Sequence, residues 1–268
     1  MIGVFDSGLG GLTVLKHFLK RLPEYDYIYL GDNARVPYGE KSRETIYEYV
    51  KEAVDFLFSQ KCEIIILACN SASAEALRKI QQEYLPIKYP GKKVLGVIRP
   101  LAEKFASDKK FKKIGVIGTN ATIASGAYAT EIKKLNPKAS VYQQATPLLV
   151  PLIENGYAHE TETKIILAKY LKSFKTKKVD ALILGCTHYP FVQKEIKNIM
   201  GKTCAIPDTG AVIAASLKDY LSRHSELKIK KSKTPKRLFY TTDDPAKFKK
   251  LGEKFLSQEI KNIKKIIL

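Results

Sequence analysis

The sequence predicts an α/β protein made of two similar domains, each built on a parallel sheet, related by a pseudo-two-fold repeat and facing each other across a cleft. Three observations support this prediction. Short apolar runs alternate with segments of helical periodicity along most of the chain. The two halves repeat one strand–loop–helix layout, and each half carries a cysteine just after a strand. With 268 residues, the chain is long enough for two such domains.

The apolar runs predict the strands, and the segments between them predict the helices. The strands are expected at residues 2–5, 27–30, 64–68, 94–97, 114–117, 141–143, 181–184, 203–206, 238–240 and 263–267. The helices are expected to begin near Gly11, Ser42, Ala72, Pro100, Ala124, Thr161, Phe191, Gly210 and Pro245. Regular alternation of this kind is typical of parallel sheets, because a crossover helix joins successive parallel strands.

An internal repeat relates the two halves of the chain. Residues 3–8, Gly-Val-Phe-Asp-Ser-Gly, have the same layout as residues 115–120, Gly-Val-Ile-Gly-Thr-Asn. Further on, residues 64–71 end in Cys-Asn-Ser, and their counterparts, residues 181–188, end in Cys-Thr-His. Each half therefore places one cysteine just past the carboxyl end of a strand.

The repeat predicts the domain organisation. We expect residues 1–93 plus 207–268 to form a first domain that carries Cys69, and residues 94–206 to form a second that carries Cys186. Ligands of open parallel sheets bind at the carboxyl ends of the strands. If the two domains face each other, the two thiols approach one ligand from opposite sides.

Composition and charge restrict the classes of partner. The apolar fraction of 45% is ordinary for a globular protein, and no apolar stretch approaches the ~18 residues that span a bilayer. Since Met1 leads directly into a strand, we expect no signal peptide, no membrane partner and a cytoplasmic location.

The net charge is +19, with a basic stretch at Lys228, Lys230, Lys231, Lys233, Lys236 and Arg237. No aromatic residues interleave with these lysines, so we interpret the stretch as a solvated surface and expect no nucleic-acid partner.

The paired cysteines suggest proton transfer. A free thiol of pKa ~8.5 is only about 3% ionised at pH 7. We expect the helix N-terminus after each cysteine to lower this pKa toward ~7, which would let the thiol act as base or acid. A thiolate on one face of a carbon and a thiol on the other would invert its configuration. The other two cysteines, Cys62 and Cys204, are expected to be core residues.

Polar neighbours fit this chemistry. Asp6, at a strand end, has the position to bind a thiol or a substrate ammonium group, although Asp6 and Ser7 equally suit a helix cap. His188, two residues after Cys186, is placed to orient or deprotonate it. Several further residues can offer donors to carboxylates: Asn70, Ser71, Thr119, Thr122 and Thr187.

Six short motifs carry a resemblance to a known family. They are Phe5-Asp6-Ser7-Gly8-Leu9-Gly10-Gly11, Val36-Pro37-Tyr38-Gly39, Ala68-Cys69-Asn70-Ser71-Ala72-Ser73-Ala74, Gly118-Thr119-Asn120-Ala121-Thr122, Val150-Pro151-Leu152-Ile153-Glu154 and Gly185-Cys186-Thr187-His188-Tyr189-Pro190. In combination they resemble the motifs of bacterial glutamate racemases, members of the aspartate/glutamate racemase superfamily. The resemblance extends along essentially the whole chain.

The resemblance implies two α/β domains with the active site between them, no cofactor and no metal. It implies that Cys69 and Cys186 are the acid/base thiols, assisted by Asp6 and His188, with Glu154 as a further helper carboxylate. It implies substrate contacts at Asp6, Ser7, Tyr38, Gly39, Asn70, Ser71, Thr119, Thr122, Thr187 and His188. Family members supply D-glutamate for peptidoglycan synthesis and many are dimers, so we expect glutamate as substrate and a homodimer.

One residue departs from the family pattern, which usually has threonine at the position of Ser71. Serine keeps the hydroxyl group but loses the methyl group that restricts χ1. We expect the activity to survive this change, with altered turnover or affinity.

Other interpretations remain open. A racemase of the same superfamily that acts on aspartate or another acid would use the same two thiols. Residues 8–11 and Asp32 suggest a dinucleotide site, although Thr13 replaces the third glycine and Asp6 would place negative charge near the pyrophosphate. A zinc site at Cys186-x-His188 lacks the four spaced ligands usual for zinc. The non-enzymatic alternative is a nucleic-acid or gyrase-binding role of the basic surface.

Overall fold

A computed structural model describes residues 1–268. Its strands are β1 (Ile2–Asp6), β2 (Tyr27–Gly31), β3 (Ile64–Leu67), β4 (Lys93–Gly96), β5 (Lys113–Gly118), β6 (Ser140–Ala145), β7 (Ala181–Gly185), β8 (Arg237–Thr241) and β9 (Ile263–Lys265). Its helices are α1 (Leu12–Arg21), α2 (Arg43–Ser59), α3 (Asn70–Glu75), α4 (Leu77–Lys79), α5 (Leu85–Lys88), α6 (Ile98–Ala106), α7 (Asn120–Ala124), α8 (Ala127–Leu135), α9 (Leu149–Glu154), α10 (Thr161–Lys177), α11 (Gln193–Met200), α12 (Thr209–Arg223) and α13 (Pro245–Leu256). Short 3-10 segments occur at Asn33–Arg35, Tyr38–Glu40 and Tyr189–Val192, and a π-helical turn at Ile80–Tyr84.

The strands form two parallel sheets, which confirms the predicted α/β class. The first sheet has the order β4-β3-β1-β2-β8-β9, and the second has the order β6-β5-β7. The arrangement β2-β1-β3 in the first sheet recurs as β6-β5-β7 in the second, so β1 is equivalent to β5 and β3 to β7. The predicted repeat is therefore present, but the second sheet is only half the size of the first.

One strand prediction was wrong, and one predicted strand forms in the first sheet instead of the second. The strand expected at 94–97, which we assigned to the second domain, is β4 and pairs with β3 in the first sheet. Without β4, the buried strand β3 would be an unpaired edge. The segment 203–206 forms no strand and makes only a single bridge, between Ala205 and Ala181. The Ala205 N–H donates to the Asp180 carbonyl. In a parallel ladder the next donor would be the N–H of residue 207, but Pro207 has none, so the pairing ends there.

Most helices begin within two residues of the predicted positions, and the caps explain several of these starts. Ser42 accepts from the Thr45 N–H at the start of α2, and Asp208 accepts from the Ala211 N–H at the start of α12. The segment expected to be one helix from Ala72 begins earlier, at α3, and is divided by the π-helical turn. Helix α9 was not predicted, because it is short and contains Pro151.

A shared core joins the two sheets. The largest apolar cluster contains Val4 and Ile66 of the first sheet together with Val116 and Ile183 of the second. Cys62 and Cys204 are buried as expected, in the separate clusters that cover the outer faces of the sheets. No helix is long and apolar enough to cross a membrane. The five lysines of the basic stretch are exposed between α12 and β8, whereas Arg237 is half-buried and stacks on the Tyr27 ring.

Candidate active site

The two candidate thiols occupy equivalent places in the two sheets. Cys69 lies two residues after the end of β3 and is the residue before α3, and Cys186 follows β7 directly. Both lie in the region where residues that follow β1 and β3 meet residues that follow β5 and β7, which we call the cleft. Each cysteine is only 6% exposed, so the cleft is closed around both thiols.

The neighbours of Cys69 differ from those expected. The Ser7 hydroxyl lies 3.4 Å from the Cys69 sulfur, whereas Asp6 makes no hydrogen bond to it. Asp6 instead accepts from the Gly8 N–H at 3.0 Å and from the Thr187 hydroxyl, across the cleft, at 3.4 Å. Neither Asp6 nor Ser7 caps α1, whose N-cap is Gly11. The helix-capping alternative for these two residues is therefore wrong.

The electrostatics of Cys69 also differ from the expectation. Burial raises the pKa of the Cys69 thiol to about 12, and the negative charges of Asp6 and Cys186 add to this effect. The Ser7 hydroxyl and the Ala72 N–H of α3 lower this pKa, but burial outweighs both, so the net lowering that we expected does not occur. Burial likewise raises the pKa of Asp6, against the lowering effect of His188. Cys69 is thus held as a neutral thiol in the closed cleft.

A chain of polar contacts lies behind Cys186. The His188 Nδ1 atom lies 3.8 Å from the Cys186 sulfur, and its Nε2 atom lies 2.9 Å from a Glu154 oxygen. Burial lowers the pKa of His188, but the hydrogen bonds and charges of Cys186 and Glu154 outweigh it and raise that pKa to about 10. His188 is therefore a cation at neutral pH, and it lies between the Glu154 carboxylate and the Cys186 sulfur.

Three hydroxyl groups meet across the cleft. Ser71 Oγ lies 2.9 Å from Thr119 Oγ1 and 3.4 Å from Thr122 Oγ1, and the two threonine oxygens are 3.0 Å apart. Thr119 is also the N-cap of α7 and accepts from the Thr122 N–H. A cluster of hydroxyl donors at a helix N-terminus suits a carboxylate.

Two site residues were missed by the sequence analysis. Tyr128, on α8, donates a 2.6 Å hydrogen bond to Asn70 Oδ1 across the cleft. Asp32 binds the Tyr38 hydroxyl. Nothing local distinguishes Tyr128 from an ordinary core tyrosine. Asp32 drew notice only as a possible ribose ligand, and that interpretation fails because its carboxylate is fully buried and bonded within the protein.

The walls of the cleft approach very closely at two glycines. A Cβ atom on Gly10 would lie 2.1 Å from Thr187 Oγ1, and one on Gly39 would lie 2.7 Å from Thr119 Cβ. Glu40 also accepts two hydrogen bonds from the Asn120 amide, at 2.9 and 3.1 Å. Side chains from both sheets thus surround one small space. No group of three or more His, Cys, Asp or Glu side chains is arranged to hold a metal ion.

Comparisons with known proteins agree with this geometry. The model of the Asp/Glu/Hydantoin racemase family matches residues 8–216. Glutamate racemase from Chlorobaculum parvum is 41% identical over 262 residues, which cover 98% of this chain and 94% of that protein. The crystal structure of glutamate racemase from Francisella tularensis in complex with D-glutamate has a TM-score of 0.89 and 38% identity, with 99% of this chain and 97% of that chain covered. A glutamate racemase isoform from Bacillus anthracis has a TM-score of 0.92 and 33% identity, with 100% and 97% covered. The chain therefore belongs to the Asp/Glu/Hydantoin racemase family, and its similarity to glutamate racemases extends over its whole length.

Proposed function

We propose that this amino-acid racemase interconverts L- and D-glutamate by moving a proton between Cα and two thiols, without a cofactor. The observation that carries the proposal is the equivalent placement of Cys69 and Cys186 after β3 and β7, on the two walls of one cleft. Two proton carriers on opposite faces of a carbon are what inversion at that carbon requires.

Polar groups around the thiols suit an amino dicarboxylate. The hydroxyl cluster of Ser71, Thr119 and Thr122 offers donors to one carboxylate. The Asp6 carboxylate, at the carboxyl end of β1, suits the substrate ammonium group. We propose the remaining substrate contacts at Ser7, Tyr38, Gly39, Asn70, Thr187 and His188, with Glu154 acting through His188.

The proton path follows from the charges. In one direction, the Cys186 thiolate takes the Cα proton. Before this transfer, His188, which Glu154 orients, stabilises the negative charge of the thiolate. The Cys69 thiol, held neutral by its raised pKa, then donates its proton to the opposite face of Cα. The product has inverted configuration, and the enzyme is left with a Cys69 thiolate and a Cys186 thiol, ready for the reverse direction. Hydroxyl and backbone donors at the carboxylate stabilise the carbanion in both directions.

Racemisation of L-glutamate in D₂O tests this mechanism. The wild-type protein should lose optical activity and gain deuterium at Cα without added cofactor. Cys69→Ser and Cys186→Ser should each lower racemisation at least about a hundredfold, because each removes one proton carrier. Cys62→Ser, which alters a buried cysteine outside the cleft, should retain turnover. Near-normal turnover in either of the first two variants would refute the two-thiol mechanism.

The substrate is distinguished from its nearest alternative by rate. Aspartate would use the same thiols but is shorter by one methylene, so one carboxylate would reach the hydroxyl cluster less well. Initial rates on the two L-amino acids should favour glutamate. Faster turnover of aspartate would contradict the proposed substrate.

We further propose a cytoplasmic homodimer that supplies D-glutamate for peptidoglycan synthesis. We also propose two domains, residues 1–93 plus 207–268 and residues 94–206, with β4 moved to the first domain because it pairs with β3. Expression in a D-glutamate auxotroph tests the cellular role, and sedimentation tests the dimer. A monomer at micromolar concentration, or no growth without D-glutamate, would contradict the corresponding part. DNA affinity that falls steeply with salt would instead support the nucleic-acid alternative.

A further inference from the structure

We propose that Asp32 is a positioning residue, which holds the Tyr38 hydroxyl and thereby fixes the segment Tyr38–Glu40 against the opposite wall of the cleft. Asp32 follows β2 directly, beside the candidate active site, and the chemistry of the two thiols does not use it. The inference rests on the proposed function, because it concerns how tightly the substrate carboxylate is bound.

The Asp32 carboxylate is a fully buried junction. Asp32 has no exposed surface. One oxygen of its carboxylate accepts from Arg35 Nε at 2.7 Å and from the Tyr38 hydroxyl. The other oxygen accepts from the Thr242 hydroxyl at 2.8 Å. A buried carboxylate with three donors is costly to displace, since any movement leaves a charge or a donor without a partner. Asp32 is therefore a rigid anchor.

Tyr38 connects this anchor to the cleft. It is 1% exposed, and its ring packs between Phe5 and Tyr49, with ring centroids at 6.2 and 5.6 Å. The packing restricts the position of the ring, but a ring alone can still slide or tilt within an apolar pocket. The hydrogen bond to Asp32 adds a second fixed point, and it sets the depth and the rotation of the side chain.

The segment that Tyr38 carries meets the other wall directly. The backbone of Gly39 lies so near Thr119 that a Cβ atom there would be 2.7 Å from Thr119 Cβ, and Glu40 accepts from the Asn120 amide. Thr119 belongs to the hydroxyl cluster that we assign to a substrate carboxylate. A shift of Tyr38 therefore moves the segment away from that carboxylate but leaves both thiols in place, so the effect falls on binding.

Tyr38→Phe is the direct test, with L-glutamate as the probe. The variant should raise KM about tenfold and change kcat by less than about threefold, since a lost binding contact acts on the ground state and the transition state alike. Tyr27→Phe is the matched control: it removes another buried tyrosine hydroxyl, bonded to the Leu22 carbonyl at 3.1 Å, at the opposite end of β2. The control should lower Tm and leave KM unchanged.

A double-mutant cycle tests whether Asp32 acts through Tyr38. Asp32→Ala should also raise KM, and Asp32→Ala combined with Tyr38→Phe should raise it no further than the larger single effect, because both remove the same hydrogen bond. If the two KM effects multiply, Asp32 does not act through Tyr38 and the inference is wrong. It is equally wrong if Tyr38→Phe lowers Tm as Tyr27→Phe does but leaves KM unchanged.

If Tyr38→Phe does not fold, Asp32→Ala and Thr242→Val provide the same measurement, and unchanged KM in both variants would overturn the inference. Failure of the proposed function has a different signature: wild type and Tyr27→Phe would then not racemise glutamate at all.

Discussion

Cys69 and Cys186 lie in unlike surroundings although they occupy equivalent positions in the two sheets. Cys69 lies beside the Ser7 hydroxyl and near the buried Asp6 carboxylate, and the pKa of its thiol is raised to about 12. Cys186 faces a buried imidazolium that is itself fixed by Glu154. In the proposed mechanism, Cys69 therefore donates the proton in the resting cleft and Cys186 accepts one. Under that mechanism the resting cleft has a direction, which turnover reverses.

The raised pKa of Cys69 predicts a loss of stability in base. The folded-state pKa of Cys69 lies above its unfolded value. The stability that the buried neutral thiol contributes is therefore present below about pH 9 and is lost as the pH rises toward 12. Between pH 8 and pH 11 the unfolding free energy of wild type should fall about 3 kcal/mol more than that of Cys69→Ser, whose hydroxyl does not ionise. Guanidinium unfolding at the two pH values measures the difference. Equal losses in the two proteins would show that Cys69 titrates normally.

At the scale of elements, the cleft is built from loops that follow strands, and their closeness depends on glycine. The loop after β1 reaches the loop after β7 at Gly10, where Thr187 Oγ1 would lie 2.1 Å and His188 Nδ1 2.7 Å from an added Cβ. Thr13, at the start of α1, adds a hydrogen bond to the Thr187 carbonyl at 2.9 Å. The glycine thus lets one loop support the residues that act beside Cys186.

Gly10→Ala should therefore impair catalysis more than folding. The new methyl group would push Thr187 and His188 away from Cys186, and a displacement of about 1 Å near reacting groups costs up to about a hundredfold in rate. We expect kcat/KM for L-glutamate to fall at least about tenfold with a small change in Tm. Gly3→Ala is the control: its Cβ would meet Cys62 Sγ at 3.2 Å, within the first sheet and away from the cleft. Similar kcat/KM in both variants would argue against this role of Gly10.

At the scale of the molecule, the structure is closed. Both thiols are 6% exposed, and Glu40 on one wall accepts from Asn120 on the other. A substrate must therefore enter through a transient separation of the two walls. Beneath the cleft, the shared apolar core joins the two sheets. Closure also excludes water, which strengthens the electrostatic contacts around the reacting carbon.

Asn120→Ala should make this opening more frequent. It removes the bond to Glu40 between the walls, and we expect iodoacetamide to alkylate Cys69 and Cys186 about threefold faster in the ligand-free protein. Glu48→Gln is the control, because Glu48 pairs with Lys51 within α2 and not across the cleft. Equal alkylation rates in wild type and Asn120→Ala would show that this contact does not limit access.

Much of the fold was predictable because it is encoded locally. The apolar runs of β1, β3, β5 and β7 are buried strands, and the equivalence of the two halves appears in residue order alone. The strand predictions failed where the outcome depended on which other strand a segment pairs with. Whether 203–206 becomes a strand depends on a ladder donor that Pro207 cannot supply, and the sheet to which β4 belongs depends on which edge is free.

The sequence by itself determined that two cysteines follow equivalent strands, and hence that two thiols can serve one site, because strand periodicity and the repeat are properties of neighbouring residues. Only the tertiary structure decided the pKa and the hydrogen-bond partners of those thiols. The pKa of Cys69, the His188–Glu154 contact and the Thr242–Asp32 hydrogen bond all depend on residues that are far apart in the chain. Burial and long-range hydrogen bonding arise when the two sheets close on each other, and no local pattern records them.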